Sequence, residues 1–317
     1  MKSIKVFTLS NDFLKVELLN IGAGLIGFES TRDHINIVVR FKDLDNYLSN
    51  NGAYLGTTIG PCAGRMANSK LGTIQLLSNE ANNSHLHGGN IGLHTVMFDG
   101  AQTDNKVMFT ARVDHSAAGY PGYVNYRITY ELKGDELILK QEAIPENAQY
   151  INMTNHSYFN LDGSDSILEH YLTSNADTIS LVNEFGWNLG EKLKIHGTPF
   201  DFRSPKMLKG CIESNHEQFI YTRSLDHFFH GNKLRLETDD KYLDIVTDQK
   251  GFQLYSSNYF DENFEVEDGS LANNYSSLAI EPQSFNNEPN LGDYPKYSGS
   301  NPYFSVTRYK LGLKQEQ

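Results

Sequence analysis

Val124-Asn125-Tyr126-Arg127-Ile128-Thr129-Tyr130-Glu131-Leu132 alternates apolar with polar residues, and Lys133-Gly134-Asp135 then turns the chain into Leu137-Ile138-Leu139. Side chains of a strand point alternately to its two faces, so Val124, Tyr126, Ile128, Tyr130 and Leu132 form one apolar face. The glycine-containing turn makes the two runs an antiparallel hairpin. Upstream, Val107, Phe109, Ala111 and Val113 alternate with Met108, Thr110 and Arg112. Similar strands are expected at 234–247, 252–260 and 303–313, a short helix at 43–48, and no long amphipathic helix anywhere. Short strands separated by turn signals imply an all-β fold, a large antiparallel β-sandwich. No shift in composition divides the chain, so 1–317 is expected to be a single domain.

Composition narrows the function classes. The formal net charge of -12 disfavours nucleic acid and anionic membranes, which need basic surfaces, and suits a neutral small molecule. With 21% charged and 39% hydrophobic residues the chain has the make-up of an ordinary soluble globular protein. No apolar run of about 18 residues occurs, so no membrane span is expected. Met1-Lys2-Ser3-Ile4-Lys5-Val6-Phe7 lacks the apolar stretch of a secretory leader. Cys62 and Cys211 are far apart and make neither a CxxC pair nor a disulfide framework. A reducing, cytoplasmic setting follows as the expectation.

Four segments carry the chemistry. Asn152 to Leu161 reads as a strand with Thr154, His156 and Tyr158 on one face and Met153 and Phe159 on the other, which would offer a histidine flanked by hydroxyls to a polar pocket. A hydrogen-bonded surface histidine is the plainer alternative. In Tyr54 to Asn68, glycines and small residues crowd around Arg65, which either reaches toward an oxygen-rich ligand or makes a structural salt bridge. In Ser84-His85-Leu86-His87-Gly88-Gly89 the two histidines would share a strand face. H-x-H can hold a metal, but no partner motif supplies further ligands, and no metal is expected. In Ser277 to Gln283, Leu278 and Ile280 face one way and Ala279, Glu281 and Gln283 the other, making Glu281 a candidate general base. Pro282 implies an edge position or a bulge.

Together these segments resemble the aldose 1-epimerase (galactose mutarotase) family. The resemblance runs from about Tyr54 to Asn290, through Gly56-Thr57-Thr58-Ile59-Gly60 with Ala63 to Asn68, His85-Leu86-His87-Gly88-Gly89, Thr154 to Leu161, Gly197-Thr198-Pro199-Phe200-Asp201-Phe202-Arg203, Leu225-Asp226-His227-Phe228 and Glu281-Pro282-Gln283. It implies the supersandwich fold of galactose mutarotases and interconversion of the α and β anomers of free hexoses, typically galactose and glucose, without cofactor or metal. It also implies Glu281 as base and His156 as acid, with Arg65, His87, Asp226 and Gln253 holding sugar hydroxyls. Oligomeric state is left as monomer or homodimer.

The chain departs from the family pattern at several points. Pro61 and Gly64 stand where many relatives have arginine and asparagine. Phe98 replaces the usual tryptophan and could stack on the sugar or belong to the core. Asn286-Asn287-Glu288 replaces a Pro-Asp-Ala run. Two competing functions are a hexose-6-phosphate epimerase, which would need a basic cluster, and a non-catalytic sugar-binding protein, which would not need both His156 and Glu281.

Overall fold

The computed structural model describes residues 3–49 and 52–314. Met1 and Lys2, at the head of the segment read as lacking a leader, lie outside them. The expected hairpin is present, with Lys106–Asp114, Tyr123–Lys133 and Glu136–Pro145 as successive antiparallel strands. They belong to a nine-stranded sheet whose middle is completed by Tyr303–Leu313, Lys241–Thr247 and Lys233–Glu237. A six-stranded sheet has the order Tyr158–Phe159, Leu278–Gln283, Gly251–Tyr255, Asp226–Phe229, Thr178–Val182, Asn188–Lys194. Neighbouring strands in both sheets run antiparallel.

One face of each sheet turns inward. Val107, Ile128, Leu139, Ile245 and Leu311 of the larger sheet meet Phe229, Phe252, Leu254, Leu278 and Ile280 of the smaller in one core. Burying each such side chain stabilises the fold by about 1.5–3 kcal/mol. Strand alternation then forces the intervening residues of the smaller sheet outward. Those residues include Asp226, Gln253, Tyr255, Glu281 and Gln283, and they floor a cleft. The alternation expected for 277–283 is therefore the one observed. Pro282 pairs with Phe252 on one side, while the strand on its other side reaches only Leu278 and Ala279. The proline thus sits where its missing N–H forfeits no ladder bond.

Several local expectations fail for identifiable reasons. Residues 152–161 are not one strand: Thr154–Asn155 pairs with Thr58–Ile59, and Tyr158–Phe159 pairs with the six-stranded sheet. The chain changes sheets at His156-Ser157, so alternation is not kept across the segment, and His156 and Tyr158 line the cleft while Thr154 does not. The span 234–247 is a hairpin of two strands, and the strand expected at 252–260 ends at Tyr255. The short helix is a single turn, Asn46–Ser49. Phe98 is 1% exposed, packs edge-on against Phe109 and belongs to the core rather than to a sugar platform.

Candidate active site

The cleft has a volume of about 710 Å³ and is lined by residues from Gly52 to Asn286. Glu281 and Gln253 enter it as directly opposed residues on adjacent strands. His156 comes from the segment that changes sheets, where its N–H donates to the Thr57 carbonyl at 2.9 Å and its carbonyl accepts the Gly56 N–H at 2.9 Å. That clamp leaves His156 Nε2 3.5 Å from Glu281 Oε1, with both side chains almost fully buried. Glu281 Oε2 and His156 Nδ1 are buried without a side-chain hydrogen-bond partner.

His87 reaches the same point by a different route. The two histidines of H-x-H do not share a face, because the strand ends at Leu86 and His87 takes a positive φ of 53° ahead of Gly88 at 82°. His85 turns into the protein, with Nδ1 bonded to the Leu77 carbonyl at 2.7 Å and Nε2 to the Tyr120 hydroxyl at 2.8 Å. His87 Nδ1 accepts the Gly64 N–H at 3.2 Å. A neutral ring accepting at Nδ1 carries its proton on Nε2, so His87 acts as a donor at that atom. Tyr54, also at positive φ (56°), sets its ring 4.7 Å from His87, 4.8 Å from His94 and 5.6 Å from His156. Positive φ at residues of these types costs of order 1–3 kcal/mol each and persists where surrounding packing enforces it.

A polar chain runs along the same floor from Arg65 to Gln283. The Arg65 guanidinium makes a bidentate contact to Glu80 and lies 3.5 Å from Asp226. The salt-bridged expectation for Arg65 is therefore the one observed, on a side chain that also lines the cleft. Gln253 Nε2 donates to Asp226 at 2.6 Å, Asn286 Nδ2 donates to Gln253 Oε1 at 3.3 Å, and Gln283 Nε2 donates to Asn286 Oδ1 at 2.6 Å.

Burial governs the electrostatics. It pushes the Glu281 carboxyl well above the usual carboxylate range, an effect the nearby Asp226 charge adds to and Arg65 opposes. It pushes His156 down to about 3, and pushes His87 well below its ordinary value. Arg65 stays cationic despite burial because Asp226 and Glu80 outweigh it. Donor atoms of His87, His156 and Glu281 lie within 4.8 Å of one another, close enough to suggest a metal set. His87 fits that role poorly: its Nδ1 lone pair is engaged by Gly64, which leaves the proton rather than a lone pair on Nε2.

Of the residues the sequence singled out, Arg65, His87, His156, Asp226, Gln253 and Glu281 line this one cleft, and Phe98 does not. A profile of the family described as aldose 1-epimerase matches residues 5–298. The chain belongs to the aldose 1-epimerase family. The human galactose mutarotase is 31% identical over 315 residues, covering 92% of this chain and 89% of that protein. The aldose 1-epimerase of Haemophilus influenzae is 29% identical, with 97% and 95% covered. Among solved structures, a GalM/aldose epimerase homologue from C. elegans superposes with a TM-score of 0.90 at 24% identity over 99% of this chain and all of that one. The galactose 1-epimerase of Lactobacillus acidophilus gives 0.87 at 25% identity, covering 99% and 96%. The protein is thus a carbohydrate-acting isomerase with the galactose mutarotase fold.

Against that background, two departures of this epimerase meet in space. A Cβ built on Gly64 would fall inside the Asn286 carboxamide, so the residue missing its side chain and the altered loop occupy one site. The rest of the altered loop is anchored. Asn287 accepts the Ala67 N–H at 3.0 Å and donates to the Asn188 carbonyl at 2.8 Å, and Glu288 accepts the Tyr150 hydroxyl at 2.9 Å. Sequence reasoning passed over Tyr54, Glu80 and Asn286 as site residues. The Glu80 side chain could have been sought as the partner of a buried arginine, whereas nothing in its neighbourhood marks Tyr54.

Proposed function

We propose that the enzyme interconverts the α and β anomers of free hexoses, galactose and glucose among them, with Glu281 and His156 as the proton-transferring pair. The observation that carries this is the buried 3.5 Å contact between His156 Nε2 and Glu281 Oε1 on the floor of the cleft. Glu281 takes the proton from the C1 hydroxyl. The C1–O5 bond breaks with its electron pair moving to O5, which takes the proton held by His156. The open aldehyde turns about C1–C2, and the same transfers run backward to close the ring on the other face.

The pair needs one proton in total. Burial alone draws that proton toward Glu281. Sugar hydroxyls that bond to the carboxylate favour its ionised form, and its charge beside Nε2 then raises the proton affinity of the imidazole. The working tautomer, an ionised Glu281 with a protonated His156, is thus reached through the bound sugar. Each acid or base so placed is typically worth about 10²–10⁴ in rate. Arg65, His87, Asp226 and Gln253 hold hydroxyls, with His87 donating from Nε2.

The charge of the cleft favours a neutral sugar over a sugar phosphate. Among the described lining residues Arg65 is the one permanent cation, and it is already bound to Glu80 and Asp226. Residues from Gly52 to Asn286 contribute to the cleft, which supports one domain and a site complete within one chain, whether monomer or homodimer. Free, buried Cys62 and Cys211 suit a cytoplasmic setting. Among the described residues, no helix is long and apolar enough to cross a membrane. The test is polarimetry on freshly dissolved α-D-galactose and α-D-glucose. The protein should speed the approach to an unchanged final rotation. No acceleration with either sugar overturns the proposal.

A further inference from the structure

Asn286 lies outside the groups assigned to the sugar so far, yet it stands among them. It lines the cleft and is 9% exposed. Its amide orientation is fixed from one end. The Asp226 carboxylate, facing Arg65, accepts from Gln253 Nε2, which turns Gln253 Oε1 toward Asn286. Gln253 Oε1 therefore accepts from Asn286 Nδ2, and Asn286 Oδ1 accepts from Gln283 Nε2. A carboxamide has two N–H donors and two acceptor lone pairs, so these bonds leave Asn286 one of each. On its other side the carboxamide covers Gly64, the residue whose N–H holds His87 and whose neighbour is Arg65. The loop beyond it is pinned through Asn287 and Glu288, so the amide is held in place before any ligand arrives.

We propose that Asn286 is a sugar-contacting residue whose carboxamide, oriented through Gln253, bonds one ring hydroxyl in the space left by the absent side chain at Gly64. This rests on the anomer-interconversion proposal above. Gly64 has a φ of 78°. Among residues with side chains, asparagine tolerates that left-handed region best. A carboxamide can consequently be supplied to the same volume from position 64 once position 286 is emptied.

The experiment compares the wild type, Asn286→Ala and the double variant Gly64→Asn/Asn286→Gly by polarimetry. Substrates are galactose and a series of monodeoxygalactoses, each lacking one hydroxyl. Loss of one neutral hydrogen bond should raise the KM of Asn286→Ala for galactose about three- to tenfold, with kcat changed less than about twofold. The penalty should vanish for the single deoxy sugar that lacks the contacted hydroxyl. A merely structural role would not produce that selectivity. The double variant should recover KM to within about threefold of the wild type. An unchanged KM in Asn286→Ala, or an equal penalty on every deoxy sugar, overturns the inference. Should Asn286→Ala unfold, Asn286→Ser replaces it under the same criteria. Should the wild type accelerate no sugar, the functional proposal fails separately, and calorimetric affinities for the same sugars decide the role of Asn286.

Discussion

Lowering the pH should unfold this protein from within its core. Among the described residues, seven histidines are buried at 7% exposure or less, and five of them, His87, His94, His115, His156 and His227, are pushed down strongly. Burial pushes His94 and His115 down to about 4 and His156 and His227 down to about 3, and pushes His87 well down. A histidine whose folded value is depressed stabilises the fold above its unfolded value of about 6.5 and loses that contribution as pH falls toward the folded value. Glu281 acts in the opposite sense, since its raised carboxyl holds a proton in the folded state that the unfolded chain gives up above about 4.5. With the downward shifts of His85 and His170 set against the raised carboxyl of Asp226, five histidines less the Glu281 carboxyl leave about four protons taken up on unfolding near pH 5.5. Stability should then fall by about 4 kcal/mol between pH 6.5 and 5.5, a large share of the 5–15 kcal/mol typical of a domain. Urea titrations at the two pH values, followed by Trp187 fluorescence and far-ultraviolet circular dichroism, measure the change. Equal stability within about 1 kcal/mol refutes the reasoning. His227→Phe places an apolar ring beside Phe200 and Phe219 and should remove about one proton, and so about 1 kcal/mol, from the difference.

His156→Asn should lower kcat by roughly 10² or more with little change in KM; a rise in KM alone would make His156 a binding group. The pH profile of kcat/KM should stay flat through about pH 6.5, because the buried pair keeps its single proton there. A falling limb centred on the ordinary histidine value of about 6.5 would contradict a shared buried proton. Phe98→Leu should cost about 1 kcal/mol of stability and leave the KM for galactose unchanged, whereas a raised KM would return Phe98 to the sugar site.

Legibility in the sequence followed the regularity of the local structure. The hairpin around Gly134 and the alternation at 277–283 were readable because both faces of those strands keep one environment throughout. The segment around His156 misled because a two-residue crossing between sheets leaves no mark on an alternating pattern. His85 and His87 misled because positive φ at His87 breaks the strand, and only Gly88-Gly89 hints at it. Phe98 could not be assigned from its type, since a core and a sugar platform both take an aromatic ring. Asn286 stayed hidden because its meaning depends on Gly64, distant in the chain and adjacent in space. Arg65, His87, His156 and Glu281 stood out from their own segments, whereas Asp226, Gln253 and the grouping of all six came from the family resemblance.

The most direct test of the proposed chemistry is the pair of constants kcat and sugar affinity for Glu281→Gln, by polarimetry and calorimetry. The substitution keeps the side chain's shape and removes its capacity to take a proton. The account predicts that kcat falls by roughly 10² or more while galactose binds with similar affinity. Near-normal turnover would remove Glu281 from the reaction and contradict the account.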